Sequence, residues 1–349
     1  MLKDSSSGFS IGVDLGGTNL RIAAWTVRDG LLETIHLPTR LDAGRLAVVD
    51  DLCGAVRRLY EKYSPQHALA GIGIGTPGPI ELPAGRLHNP PNLPGWDRFD
   101  LKDEVERRLG MPVVLESDAN AAALAECVLG LGRSLGVDSL CMLTLGTGIG
   151  NGIILDGKIW HGVTGMGGEA GHMTIYPDGP DCGCGGKGCM EMYASATAIV
   201  RTANQRVAAG KAPGLAGRKT GHAWWTARDL GEAARSGDPD ARAIFEEAGR
   251  AIGIGLAGLV NTLNLPLYVI GGGLVASWDL FAPELFRELR HRSYVYRLTE
   301  PGAVASASIP GGGTQVLAAE LGSDAGLLGA CILPFPASSS PSANGAPCD

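Results

Sequence analysis

Phe9-Ser-Ile-Gly-Val-Asp14-Leu-Gly16-Gly17-Thr18-Asn19 opens the first apolar stretch of the chain, and Leu140-Cys-Met-Leu-Thr-Leu145-Gly146-Thr147-Gly148-Ile149-Gly150 repeats its plan far downstream. In each, a short apolar run meets a glycine turn and strand character resumes at once, over Leu20 to Val27 and over Ile153 to Leu155. A glycine turn between two strands reads as a hairpin. A third turn, Gly271-Gly272-Gly273, follows the strand Leu267 to Ile270. Backbone N–H groups bared at such turns suit anionic oxygens such as those of phosphates.

Which phosphate-binding plan this is can be narrowed by elimination. No Gly-x4-Gly-Lys-Ser/Thr loop occurs. Gly73-x-Gly75-x-x-Gly78 formally fits a dinucleotide fingerprint, but Pro77-Gly78-Pro79 leads into extended residues and no helix, so the required strand-to-helix context fails. What remains is a pair of strand-turn-strand hairpins, one per domain, closing on phosphates from two sides. Asp14, at a strand end, suits an outer-sphere magnesium site. Asp118 begins the alanine-rich helix Asp118 to Leu129, where an acidic side chain is a natural cap. Phosphoryl transfer needs positioning, charge neutralisation by Mg²⁺ and a base for the hydroxyl proton. Asp14 and Asp118 can fill the last two roles.

Around these landmarks the pattern alternates between strands and helices. Helices are expected over Leu46 to Tyr63, Leu101 to Leu109, Ala194 to Val207, Ala227 to Ser236, Pro239 to Leu265, Pro283 to Arg290 and Leu317 to Leu333. Strands are expected over Ala68 to Gly75 and Val113 to Leu115. Such alternation is an α/β fold.

Between Gly168 and Glu191 the chain reads Gly-Glu169-Ala-Gly-His172, then Cys182-Gly-Cys184-Gly-Gly-Lys-Gly-Cys189-Met-Glu191. One His and three Cys supply the tetrahedral nitrogen and sulfur set that zinc prefers, with no position left for a catalytic water, so the metal is expected to be structural. Glu169 and Glu191 flank this clip, and two rigid carboxylate acceptors suit a polyhydroxyl ligand. The other cysteines, Cys53, Cys127, Cys141, Cys331 and Cys348, are scattered singly, which is no secreted disulfide framework.

At 349 residues the chain has room for about two domains. A net charge of -7 speaks against the basic surface that a nucleic acid partner requires. The N-terminus has no apolar signal region, and the longest apolar stretch, near Ala251 to Val260, is broken by glycines and soon meets Asn261, Asn264 and Pro266. A cytoplasmic protein without a membrane partner is expected. From Pro334 the chain is rich in Ser, Pro and Ala and reads as a disordered tail, residues 334–349.

Asp14-Leu-Gly-Gly-Thr18-Asn, Gly75-Thr-Pro-Gly78, Asn89-Pro-Pro-Asn92-Leu-Pro-Gly-Trp96, Ser117-Asp118-Ala-Asn120, Gly146-Thr-Gly-Ile-Gly150 and Glu169-Ala-Gly-His172 together resemble the ROK family of sugar kinases and repressors. The likeness spans residues 10 to 333, with the His-Cys-Cys-Cys clip its most specific part, and within the family the bacterial ATP-dependent glucokinases are the most similar. The resemblance implies an actin-like (ribonuclease H-like) two-domain sugar kinase fold with a zinc-clipped loop. The small domain would be residues 1–117 plus about 318–333, and the large one 118–317, carrying the zinc loop 172–189 and a dimer surface. It implies that Asp118 is the catalytic base for a sugar 6-hydroxyl, with Asn92, Ser117, Glu169, His172 and Glu191 around the sugar. His172, Cys182, Cys184 and Cys189 would bind zinc. Asp14, Gly16, Gly17, Thr18 and Asn19 would serve the ATP phosphates and magnesium, joined by Gly146, Thr147 and Gly148, while Gly271, Gly272 and Gly273 would lie near the adenosine. Homodimers or tetramers are common among such kinases.

Position 117 departs from the family pattern, which has Asn where this chain has Ser. Its shorter reach bears on a sugar contact at the 4- or 6-hydroxyl side, and so on epimer selectivity more than on activity. The expected activity is ATP-dependent phosphorylation of glucose. Kinases for N-acetylmannosamine, N-acetylglucosamine, allose, mannose or fructose stand beside it, and so does a sugar-sensing repressor. A repressor would carry a DNA-reading module of roughly 60 to 80 residues, and here eight residues precede the first expected strand.

Overall fold

The computed structural model describes residues 8–218 and 225–335. The expected tail from residue 336 onward lies outside them, as do His222 and Cys348. In chain order come β1 (Phe9–Leu15), β2 (Asn19–Thr26), β3 (Gly30–Pro38), α1 (Arg45–Tyr63), β4 (Leu69–Thr76), the short β5 (Ile80–Glu81), β6 (Arg86–Leu87) and β7 (Phe99–Asp100), α2 (Leu101–Leu109), β8 (Val113–Ser117), α3 (Asp118–Val128) and α4 (Leu131–Leu135). Next are β9 (Leu140–Leu145), β10 (Ile149–Leu155), β11 (Lys158–Ile159), α5 (Glu191–Ala194), α6 (Ala196–Ala208), α7 (Pro213–Arg218), α8 (Ala227–Arg235) and α9 (Pro239–Leu263). The chain closes with β12 (Leu267–Gly271), α10 (Trp278–Arg292), α11 (Tyr294–Thr299), β13 (Gln315–Ala318) and α12 (Ala325–Ile332). It divides into two compact units. Among the described residues, the first holds 8–134, 152–168 and 323–335, and the second holds 135–151, 169–218 and 225–322.

The first unit is built on a sheet of order β3-β2-β1-β4-β8. β2 runs antiparallel to β1 and to β3, whereas β1, β4 and β8 are parallel. The central strand β1 alternates: Phe9, Ile11, Val13 and Leu15, wholly buried, point to one face, while Ser10 and Gly12 lie on the face covered by α12. Helix α1 presents Val48, Val49, Leu52, Val56 and Leu59 at helical spacing to the same core. Burying each such side chain is worth about 1.5–3 kcal/mol. α12 is fastened to the sheet by Ser10 Oγ, which donates to the Cys331 carbonyl at 2.6 Å. Pro334 and Phe335, expected to begin the tail, are ordered; the Phe335 ring meets Trp25 edge-on at 5.5 Å.

A second sheet has the order β11-β10-β9-β12-β13, with β9, β12 and β13 parallel. In the second unit Asp238 caps the long helix α9 with Pro239 at its start, and Asn264 ends it in the left-handed conformation. Along α9 packs α10. Two sequence expectations change here. The stretch expected as one helix over Leu317 to Leu333 splits, because Gln315–Ala318 pairs with β12 as β13, and the helix starts only at Ala325, past Gly322-Ser323-Asp324. α10 begins at Trp278 and keeps Pro283 inside it; buried Leu280, Phe281, Leu285 and Leu289 outweigh the local disfavour of proline.

Candidate active site

Asp14, Gly75 and Glu116 stand in register across β1, β4 and β8, at the carboxyl ends of the strands. Open α/β sheets bind ligands outside those ends. The β1–β2 turn is closed by Gly16 N–H donating to the Asn19 carbonyl at 2.9 Å. Thr39 holds it from the side, its Oγ1 donating to the Gly16 carbonyl at 2.7 Å. Asn92 crosses directly over the turn: a Cβ on Gly17 would overlap the Asn92 carbonyl oxygen, so only glycine fits. Asp14, Gly16, Gly17, Thr18 and Asn19 thereby line one open cleft of about 560 Å³. Its oxygen donors, the Asp14 carboxylate and the Thr18 hydroxyl, are the hard kind that magnesium takes.

Arg21, which sequence reading passed over, faces Asp14 directly across the hairpin. Its Nε and Nη2 donate to Asp14 Oδ2 at 3.0 and 2.6 Å. The same guanidinium donates to Asp324 Oδ1 at 3.1 Å and to the Ser323 carbonyl at 2.7 Å, tying the turn to the segment before α12. The hairpin register was the available signal, since a turn centred on Gly17–Thr18 pairs residue 14 with residue 21.

Asp118 is the first residue of α3, and the cap itself is Ser117, correcting the sequence reading. Ser117 has extended backbone and its Oγ accepts the Asn120 N–H at 3.1 Å. Ser ranks among the best capping residues, whereas the carboxylate one position later accepts its neighbour's N–H, from Ala119 to Asp118 Oδ1 at 2.7 Å. The helix N-terminus still favours negative charge there. Behind Asp118 sits Glu116, 3% exposed. Its Oε1 accepts the Ser117 N–H at 2.8 Å and the Asn120 amide at 2.9 Å, and its Oε2 takes His161 Nε2 at 2.5 Å. That hydrogen bond, with the carboxylate charge, raises the His161 pKa against its burial.

In the second unit the β9–β10 turn is closed by Gly146 N–H on the Gly148 carbonyl at 2.9 Å, and the Ala196 N–H donates to the Gly146 carbonyl at 2.9 Å. Glu191, expected as a loop acceptor, reaches this turn: its Oε2 accepts the Ile149 N–H at 2.7 Å. A Cβ on Gly148 would overlap that carboxylate. Gly271 pairs with Thr144 in register, so the turn after β12 lies beside the one after β9. Burial pushes the Glu169 carboxyl up, and Glu191 adds to this while His172 opposes it.

His172, Cys182, Cys184 and Cys189 converge as the sequence spacing foresaw, their ligand atoms all within 4.8 Å of one another. His172 Nδ1 is the ring atom facing the cluster, 3.6 Å from Cys182 Sγ, and Cys184 and Cys189 sulfurs lie 3.7 Å apart. Paired bridges, Thr174 to Cys189 and Asp181 to Lys187, fold the loop back on itself. The Gly186 N–H donates to Cys184 Sγ and pulls that thiol down, while burial pushes Cys189 up to about 12. Four such donors can hold a metal ion. Turning Nδ1 to the cluster leaves the Nε2 edge of His172 for a different partner.

The description of the ROK family matches residues 10–335. A glucokinase of Halalkalibacterium halodurans is 36% identical over 326 residues, spanning 93% of this chain and 94% of that protein. The crystal structure of a ROK family glucokinase from Streptomyces griseus in complex with glucose and AMPPNP is 37% identical, covers 93% of this chain and 99% of its own, and superposes with a TM-score of 0.74. A xylose repressor of Caldicellulosiruptor bescii is 30% identical over 290 residues, 82% of this chain and 71% of the repressor.

Proposed function

The chain belongs to the ROK family, and from that premise we propose that it transfers the γ-phosphoryl group of ATP to the 6-hydroxyl of glucose, giving glucose 6-phosphate and ADP. Full-length similarity to glucokinases, one of them solved with glucose and AMPPNP, carries the reading. Asp118, at the N-terminus of α3 where negative charge is favoured, accepts the 6-hydroxyl proton as the O6–P bond forms and the bond to the β-phosphate oxygen breaks. Asn92, Ser117, Glu169, His172 and Glu191 hold the remaining hydroxyls, with Ser117 Oγ already engaged as a cap. The N–H groups of the Gly16–Asn19 and Gly146–Gly148 turns take phosphate oxygens, and Gly271–Gly273 serve the adenosine. Asp14 would hold magnesium, which when bound would supply charge neutralisation on the phosphates.

Zinc is the metal we assign to the cysteine loop. Bonds of about 2.3 Å to sulfur and about 2.0–2.1 Å to nitrogen at tetrahedral angles require S···S of about 3.8 Å and S···N of about 3.5–3.6 Å, which the 3.7 and 3.6 Å separations support. It supplies rigidity only. Among the described residues no helix is long and apolar enough to cross a membrane, and the family resemblance favours a cytoplasmic homo-oligomer, dimer or tetramer. The test is product identity: phosphorus NMR of a reaction with ATP, Mg²⁺ and glucose should show the new phosphate coupled to the two protons on carbon 6. A product phosphorylated elsewhere, or none, would overturn the assignment of Asp118.

A further inference from the structure

We propose that Glu116 and His161 are positioning residues that fix the first turn of α3 and, through it, the Asp118 carboxylate during phosphoryl transfer. The proposal rests on the reading of Asp118 as the base. Glu116 is 3% exposed, and a carboxylate so placed is costly unless its oxygens are satisfied. Here one of its two oxygens is spent on the residues that bracket Asp118. Oε1 takes the N–H of Ser117 on one side of it and the side-chain amide of Asn120 on the other. Asp118 therefore sits between two residues held by a single carboxylate, while its own Oδ1 is turned onto the Ala119 N–H.

The other oxygen of Glu116 is held from outside the helix by His161, two residues past β11. The residues around His161 are folded tightly. Trp160 N–H donates to the Ile153 carbonyl at 2.8 Å, the Gly167 N–H returns to the His161 carbonyl at 2.9 Å, and Leu82 N–H holds the Thr164 carbonyl at 3.0 Å. The loop thus delivers the ring to Glu116 from a fixed base. The ring itself is 38% exposed against 4% for the Glu116 side chain, so the pair bridges from solvent to the buried end of the sheet. β4, the neighbour of β8, brings Gly75 and Thr76 alongside Glu116 and Ser117, and neither carries charge. Glu116 is the charged group whose field acts on His161. If this arrangement served only folding, an apolar pair of similar volume would do as well; a charged clamp on both flanks of the base is what geometric control of that base requires.

The test compares His161→Ala, His161→Gln and Asp118→Asn with the unaltered protein, measuring kcat and both KM values for glucose and ATP together with thermal melting. His161→Ala should lower kcat on the order of 10- to 100-fold, with the KM for ATP and the melting temperature close to those of the unaltered protein. His161→Gln should restore most of kcat, because its amide N–H can donate to Glu116 Oε2. Full-rate His161→Ala beside an inactive Asp118→Asn would overturn the positioning role alone, as would a loss of rate that merely follows a loss of melting temperature or that Gln does not repair. Turnover that survives Asp118→Asn would remove the base, and the clamp with it.

Discussion

The two sheets share one strand order, a hairpin followed by parallel strands, but they anchor their glycine turns by opposite means. In the first unit the acid is on the strand itself, and Arg21, opposite Asp14 in the hairpin, ties it to Ser323 and Asp324. In the second unit the acid comes from far along the chain, and Glu191 reaches the Ile149 N–H from the start of α5. A hairpin register can carry its own anchor; a turn without a strand-borne charge has to import one. The imported anchor is also the one next to the clustered cysteines, so the second turn, the cysteine loop and the carboxylates form one dependent piece.

The largest effect expected is on the first unit. Asp118→Asn should keep sugar binding, judged by intrinsic tryptophan fluorescence on titration with glucose, and lose about 10²- to 10⁴-fold in kcat. Breaking the second unit needs no change at Asp118. Cys189→Ala should abolish stoichiometric zinc, read by elemental analysis, and raise the KM for glucose while leaving cleft residues such as Thr18 untouched; retained zinc would dissociate the clip from this cysteine. The two glycine turns separate next. Gly17→Ala must push aside the Asn92 backbone and should cost about 1–3 kcal/mol in urea unfolding. Gly148→Ala meets only the end of the Glu191 side chain, so its stability loss should be smaller and its mark should be a raised KM for glucose. Equal unfolding midpoints for the two would contradict the contrast.

The smallest effect is the pH dependence of the His161–Glu116 pair. His161 is raised above its ordinary value of about 6.5, so its stabilising contribution is fully present below that pH and is lost as pH rises through the folded-state value. The difference in urea midpoint between the unaltered protein and His161→Gln should therefore shrink from about pH 5 to about pH 9. A gap that widens with pH would reverse the sign.

Much of the architecture was legible because it is local. The hairpins announce themselves by apolar runs around glycine turns, and the cluster of His172, Cys182, Cys184 and Cys189 by donor type and spacing. The strand β13 was missed because Leu317 to Leu333 is apolar enough for a helix, and only its pairing with β12 decides otherwise. Ser117 and Asp118 are both good helix-start residues, so which of them is the cap depends on a backbone angle that no spacing encodes. Arg21 was within reach of the register argument. His161 was not, since nothing in the chain links it to Glu116 until β11 and the loop after it are folded.

The most direct test of the central claim is Mg²⁺-dependent ADP release from ATP across glucose, mannose, allose, fructose, N-acetylglucosamine and N-acetylmannosamine. Glucose should give the highest kcat/KM, with release abolished in Asp118→Asn; ADP release with none of the six sugars would contradict the kinase reading outright.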